Sequence, residues 1–445
     1  MSKKILFATF GSLGDLHPYI ALALELKRRG HQPLIASFAL YRDAVLAEGI
    51  AFAPMRPDIE RFGDKAAIVR RLFSSNSGAA FMVRDMFMPH IRDSYADLNA
   101  AAADCDLIVT HPVGFAGPLV AQKRGLPWVS SILAPMSLMS CSDPPLIGPA
   151  PWLQPVRKWG AAPYRAAFGL VKFIGRQWEK PLHALRAELA LPPAPAAQFE
   201  GQYSPHCNLA LFSPLLATPQ ADWPRNTVLC GFPRYDGKPA DAGETTRLQQ
   251  FLQAGDAPLV FGLGSSAVLV AGDFWRHAIA AAQLLGRRAI LLTGVPPQQL
   301  AEPLGALPPT VQAYEYLPYS TVFPHAAVVI HQAGIGTLAQ AMAAGRPQLI
   351  VPVAFDQPDN AARAVALGIA RSVPFKKVTP QRLAAELRPL LGERAYAARA
   401  TEIAAAIARE NPLATACDLI EAQASSQASS QLSLQLSSPS NQMQS

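Results

Sequence analysis

The densest run of residues able to do chemistry lies in the last third of the chain. There His331-Gln-Ala-Gly334-Ile-Gly336-Thr337 is followed by Phe355-Asp356-Gln357-Pro-Asp-Asn360. Residues 328–330 read as a buried strand ending at His331. Gly334 and Gly336 make a tight turn, Thr337 opens a helix that runs to Ala344, and Gly345 ends it. A glycine turn feeding a helix start presents backbone N–H groups without partners inside the helix, together with the positive end of the helix dipole. That combination suits a diphosphate. His331, at the strand's end, is placed to donate a hydrogen bond to the same phosphate. Asp356 and Gln357 follow the next apolar run, 348–352. They would share the rim at the carboxyl ends of the strands, where open α/β sheets bind ligands. A carboxylate beside an amide suits paired hydroxyls of a sugar. Gly-x-Gly alone can serve only to let helix and strand pack. The strand-end histidine before it and Asp-Gln after the next strand make it a binding pattern.

The elements needed to position these residues are visible as short apolar runs alternating with helical patterns. In the first half the runs are 5–10, 33–36, 107–110 and 128–132; in the second they are 259–263, 289–293, 328–330 and 348–351. Alternating βα units whose strands are apolar on both faces imply a parallel, doubly wound sheet. Two such series imply an α/β fold of two Rossmann-like domains. The expected divisions are an N-terminal domain over 1–235, a polar, turn-rich linker over 236–244 and a C-terminal domain over 245–395. Helices over 396–421 pack back toward the first domain. Residues 140–195 carry many prolines with Trp152, Trp159 and Trp178 and read as a helical excursion packed mainly as core. From Ala422 the chain is Ser/Gln-rich and uncharged, which predicts a disordered tail over 422–445.

Composition narrows the class. With 445 residues, half of them apolar and 16% charged, the chain can fill two sizeable cores. Its net charge of +7 is not concentrated in a Lys/Arg run or an aromatic-interleaved basic stripe, which argues against nucleic acid. Five cysteines without a CxxC pair argue against a disulfide framework or structural zinc and fit a cytoplasmic protein. The apolar start reads as a first strand rather than a signal peptide, because it stops at Gly11-Ser12.

The pattern His-x-x-Gly-x-Gly-Thr, followed after 18 residues by Asp-Gln, resembles the donor-site signature of family 1 glycosyltransferases of GT-B architecture, which implies two domains facing a cleft. The likeness extends to about Ala422. Phe10-Gly-Ser-Leu-Gly-Asp-Leu-His-Pro18, Gly231-Phe-Pro-Arg-Tyr-Asp-Gly237 and Phe355–Asn360 further resemble bacterial rhamnosyltransferases of the rhamnolipid type and flavonoid-modifying bacterial relatives. The resemblance implies that Tyr316 stacks on the donor's base and that Leu317 bonds the base through its backbone. His331 with the N–H groups of Gly336 and Thr337 holds the diphosphate, Gly264-Ser265 also touches phosphate, and Asp356 and Gln357 bind the sugar with Asn360 nearby. Many relatives have glycine where this chain has Ala333, and the methyl group there implies φ < 0.

In the same resemblance the first glycine turn, Gly11-Ser-Leu-Gly14-Asp15-Leu-His17-Pro18, faces the acceptor and carries the base. Asp15 stands where the plant members' catalytic histidine stands. His111, ending the strand 107–110, stands near their supporting aspartate. The expectation is a swapped pair, with Asp15 as base and His111 orienting it or sharing its proton; His17 is the competing base. No metal site is expected, because Asp104-Cys-Asp106 precedes its strand and so lies at the opposite sheet edge.

The implied reaction is inverting transfer of a hexosyl group, rhamnose from dTDP-rhamnose first and glucose from UDP-glucose second, to a hydroxyl of a hydrophobic acceptor such as a flavonoid, another phenolic or a hydroxy-acyl lipid. The nucleotide sugar is a co-substrate and no resident cofactor is implied. An NAD-dependent oxidoreductase or epimerase is disfavoured, because the first turn lacks the third glycine of Gly-x-Gly-x-x-Gly. Segments 81–88 and 132–147 are candidate acceptor walls. The basic residues among Trp and Phe in the excursion suggest a weak peripheral contact with an anionic membrane.

Overall fold

The computed structural model describes residues 2–74, 77–148, 150, 152–300 and 304–436, with side chains at 300 and beyond 425 outside the description. Two all-parallel sheets are present. The first holds β1 (Lys4–Ala8), β2 (Gln32–Ser37), β3 (Ala51–Pro54), β4 (Leu107–Thr110), β5 (Trp128–Ile132), β6 (Asn208–Ala210) and β7 (Thr227–Leu229) in the order β3-β2-β1-β4-β5-β6-β7. The second holds β8 (Leu259–Gly262), β9 (Ala289–Leu292), β10 (Val311–Tyr314), β11 (Val328–His331), β12 (Gln348–Ile350) and β13 (Ala370–Ser372) in the order β10-β9-β8-β11-β12-β13. The central strands are buried on both faces, as helices on either side of a parallel sheet require.

Each sheet reverses its winding once. In the first the reversal falls between β1 and β4, paired Ile5 to Leu107 through Ala8 to Thr110. In the second it falls between β8 and β11, paired Val328 to Leu259. Crevices outside the carboxyl ends of the strands at such switch points are where open α/β sheets bind ligands.

One apolar cluster joins the two domains. Phe232 and Leu216 of the first pack with Ile335, Leu338 and Met342 of the second. The stretch 236–244 is irregular as far as Asp241, whose carboxylate caps the helix Ala242–Gln253 by accepting from the Glu244 N–H. The chain's last helix returns to the first domain. Arg29 pairs with Asp418 at 2.5 Å and with Glu421 at 2.9 Å, and Cys417 lies against the helix Leu13–Arg28.

That last helix corrects the expected tail. Disorder was expected from 422, but the helix Pro412–Leu436 runs on, with Ala416, Cys417, Ile420 and Ala424 buried along one face. Although rich in Ser and Gln, 422–436 contains no Gly or Pro to break a helix, and four buried residues at helical spacing seat the beginning of the helix on the first domain. Residues 437–445 lie outside the described residues. The excursion forms three helices, Leu153–Arg157, Ala161–Trp178 and Lys180–Glu188. It packs only partly as core: Tyr164 and Phe168 are buried, whereas Trp152 and Trp159 are 46% and 71% exposed. Among the described residues no helix is long and apolar enough to cross a membrane.

Candidate functional site

At the first switch point the chain leaves β1 through Phe10 and Gly11. Gly11 has φ +126, and a Cβ there would lie 2.4 Å from Asp15 Oδ2, so only glycine allows the carboxylate to fold over the turn. Ser12 caps the helix Leu13–Arg28. Asp15 Oδ2 accepts from the Ser12 N–H at 2.7 Å and the Ser12 hydroxyl at 3.0 Å, closing a capping box. Its other oxygen lies 3.3 Å from His111 Nε2, at the end of β4 next door. The Val113 N–H donates to His111 Nδ1 at 3.2 Å, which leaves the proton on Nε2, pointing at Asp15. His111 is 7% exposed and is held edge-on by Tyr19, whereas the Asp15 side chain keeps 34% exposure. Burial pushes the Asp15 carboxyl upward, but the hydrogen bond from His111, with the Ser12 donors, outweighs it and holds it below the ordinary carboxylate range. The result is an ionised carboxylate backed by a histidine, open on one side.

His17 does not join this pair. It is half-buried, edge-on to Tyr235 at 5.1 Å, and lies against Gly237 of the linker. Burial lowers its pKa to about 4, which keeps the imidazole neutral. Two positions along a helix point away from each other, so it neither meets the Asp15 carboxylate nor faces solvent freely. Asp104 and Asp106 lie at the amino edge, bonded to Lys4 and Lys3. Among the described residues no metal-binding cluster of His, Cys, Asp or Glu occurs.

At the second switch point β8, β11 and β12 are neighbours, so their following turns lie side by side. Gly264 has φ +67, and a Cβ there would fall 2.3 Å from Gln332 Nε2; Ser265 beside it is exposed. The helix Ile335–Ala343 begins at Gly334, its N-cap, two residues earlier than the spacing predicts. The left-handed residue of this turn is Ala333, at φ +64, and neither Gly334 nor Gly336 takes that conformation. The expected negative φ is therefore overturned. A left-handed alanine costs roughly 1–2 kcal/mol, and three groups hold it there. The Ala333 N–H donates to His331 Nδ1 at 3.1 Å, Asn360 Nδ2 donates to the Ala333 carbonyl at 3.0 Å, and the Ala333 methyl is wholly buried.

Three of the expected donor-site residues, His331, Asn360 and Gln357, have partners inside the protein. His331 is fully buried; Nδ1 is taken by Ala333, and Nε2 lies 2.9 Å from Gln348 Oε1. Burial lowers its pKa to about 4. Both ring nitrogens are engaged inside the protein, where they hold the Ala333 turn. Asn360 is also fully buried, bridging Ala333 and Asp356 Oδ2 (2.7 Å), and so is a support rather than a sugar contact. Gln357 is 7% exposed and its Oε1 accepts from the Val353 and Ala354 N–H groups, so that oxygen closes a turn.

Asp356, by contrast, stands at the cleft. Burial, with the charge of Asp15 across the cleft, raises its pKa to about 7. The two domains meet at their helix starts: a Cβ on Gly336 would lie 3.9 Å from the Gly14 carbonyl. Thr337 lies beside them, its hydroxyl accepting from Gln332 Nε2 at 3.4 Å. Tyr316 is 39% exposed and its hydroxyl donates to the Asp236 carbonyl in the linker; Leu317 is wholly buried. Of the expected wall 81–88, Phe81, Met86, Phe87 and Met88 are buried, with Phe87 against Phe10, whereas in 132–147 Met136, Met139 and Ile147 are only partly buried.

Sequence reasoning missed the supports. Ser12 was signalled by Ser-x-x-Asp at a helix start. Gln332 and Gln348 carry no local signal. Nor does the cluster bridging the domains, in which Asp359 bonds Arg363 and the Leu146 N–H while Arg363 reaches Asp143 and the Leu216 carbonyl.

Comparison with known proteins bears on both halves. Residues 5–109 match the glycosyltransferase family 28 N-terminal domain. Residues 289–422 match the erythromycin biosynthesis protein CIII-like C-terminal domain. The chain is 29% identical over 436 residues to O-mycaminosyltylonolide 6-deoxyallosyltransferase of Streptomyces fradiae, covering 94% of this chain and 97% of that one. It is 25% identical over 435 residues to a sterol 3-beta-glucosyltransferase of Neosartorya fischeri, covering 94% of this chain but 29% of the relative. Among solved structures, glycosyltransferase VinC in complex with dTDP superposes with a TM-score of 0.66 at 20% identity, covering 94% of this chain and 99% of that one. The spinosyn rhamnosyltransferase SpnG gives 0.62 at 19% identity, covering 94% and 100%.

Proposed function

The chain is a glycosyltransferase of GT-B architecture, and from that premise we propose that it moves a 6-deoxyhexosyl group, rhamnose first, from a dTDP-sugar to a hydroxyl of a bulky hydrophobic acceptor such as a flavonoid or another phenolic. The observation that carries this reading is the Asp15–His111 pair at one switch point, with Asp356 opposite it at the other. A neutral hydroxyl is a poor nucleophile, and a carboxylate in hydrogen-bond reach takes its proton as the new bond forms. The acceptor oxygen attacks the anomeric carbon, the bond from that carbon to the phosphate oxygen breaks, and the proton passes to Asp15, with His111 orienting the carboxylate. The departing diphosphate is stabilised by the N–H groups at the Gly334–Thr337 helix start. His331 contributes indirectly, by locking Ala333. Attack opposite the leaving group inverts the anomeric centre. The chemistry calls for no metal and no resident cofactor.

The donor half is supported by the deoxyallosyl relative and the dTDP-bound neighbour. The acceptor's hydrophobic character is supported by the sterol-glycosylating relative. The test is a crossed panel of dTDP-rhamnose and UDP-glucose against flavonoids, other phenolics and hydroxy-acyl lipids, read by product mass. Product with dTDP-rhamnose and a hydrophobic alcohol is expected. Product only with UDP-glucose would overturn the donor assignment, and none with any hydrophobic acceptor would overturn the acceptor class.

A further inference from the structure

Five of the ten large apolar side chains that are more than a third exposed, among the described residues, lie in one short segment: Trp152, Trp159, Leu170, Phe173 and Ile174. The helix Ala161–Trp178 explains how. Its inner face seats Tyr164, Phe168 and Gly175, the last so tightly that a Cβ would lie 3.0 Å from the Phe199 ring. Its outer side presents Ala162, Ala166, Leu170 and Phe173, all exposed, with Arg165, Arg176 and Gln177 exposed beside them. A helix apolar on both sides with one side packed is missing a partner for the other.

Charge identifies the partner. Residues 144–178 contain Arg157, Lys158, Arg165, Lys172 and Arg176 and no Asp or Glu, so five of the chain's positive charges fall in this segment without an acidic residue among them. Lys172 bonds Glu200, but Lys158, Arg165 and Arg176 have no ion-pair partner among the described residues. Exposed Trp and Phe between unpaired basic residues match the boundary of an anionic bilayer, where aromatic rings enter the interface and the cations meet lipid phosphates. A second copy of this chain would have to oppose the same five charges to themselves.

We propose that the 152–176 face docks this protein onto an anionic phospholipid surface, from which it draws an acceptor dissolved in the lipid. The segment leaves the carboxyl end of β5, on the rim that carries His111, and the Leu146 N–H at its start donates to Asp359 beside the donor turn. The docking stands without the transfer reaction; its use in acceptor capture rests on the proposed transfer.

The test is flotation of the full chain with phosphatidylcholine vesicles and with mixed phosphatidylcholine–phosphatidylglycerol vesicles. Turnover on a water-soluble acceptor and the oligomeric state are measured in parallel. The expected result is binding to the mixed vesicles only, reduced by salt. Each of Arg165→Ala and Arg176→Ala should weaken it about fivefold, and the double change Trp159→Glu, Phe173→Glu should abolish it with soluble turnover unchanged. No binding to anionic vesicles, equal binding by the double variant, or a dimer that the double variant converts to monomer would each overturn the proposal. Loss of soluble turnover in the unaltered protein would count against the transfer reading alone.

Discussion

Replacing His331 by alanine separates a residue that holds a turn from one that holds a ligand. The ring is fully buried and makes two hydrogen bonds, from the Ala333 N–H and to Gln348 Oε1. Each contributes about 1 kcal/mol net, and a buried partner left unpaired costs about 1–3 kcal/mol, so the loss should be about 3–5 kcal/mol at neutral pH. The pH dependence sharpens the test. Native His331 titrates near 4 and its unfolded counterpart near 6.5. Below about pH 6.5 the unfolded chain therefore binds a proton that the native chain refuses, and the wild type loses about 3 kcal/mol by pH 4. The variant lacks that term, whereas His17, depressed by its own burial, remains in both proteins and cancels. Urea midpoints should differ widely near pH 7 and converge near pH 4. A constant gap, or equal stability with only donor affinity reduced, would refute the buried, neutral role.

Asp356→Asn removes a carboxyl whose native pKa of about 7 lies above its unfolded value, so the variant should gain stability relative to wild type as pH rises from 4 to 7, measured by thermal unfolding. Because the Asp15 charge contributes to that shift, Asp15→Asn should move the Asp356 titration downward in a carboxyl-resolved NMR experiment. Gly264→Ala sets a methyl group about on top of Gln332 at a left-handed position and should cost roughly 1–3 kcal/mol in urea unfolding. Arg363→Ala strands Asp359, which is 2% exposed, and should cost about 3–5 kcal/mol with the domain contact loosened, read by unfolding and by small-angle scattering.

The parts legible in the sequence are those set by periodicity and by strand-end position. Runs such as 5–10 and 259–263 are apolar on both faces because they are central parallel strands. Asp15 and His111 meet because β1 and β4 are neighbours, which the doubly wound pattern implies. The role of His331 was not legible. A strand-end histidine that meets a ligand and one that meets Gln348, 17 residues away, have the same type and spacing. Ala333 misled for a related reason: the local rule against a left-handed alanine is overridden by Asn360 and His331, which grip its carbonyl and its N–H. The helix through Leu436 was missed because its seat is a tertiary groove beside Leu22 and Arg29, and Ser/Gln composition says nothing of that groove.

The central claim, an ionised Asp15 taking the acceptor's proton opposite a donor gripped at Gly334–Thr337, is tested most directly by Asp15→Asn at saturating dTDP-rhamnose, with dTDP affinity measured by calorimetry on the same protein. The account predicts a fall in kcat of about a hundredfold to ten-thousandfold with dTDP affinity unchanged. Turnover close to wild type would contradict it.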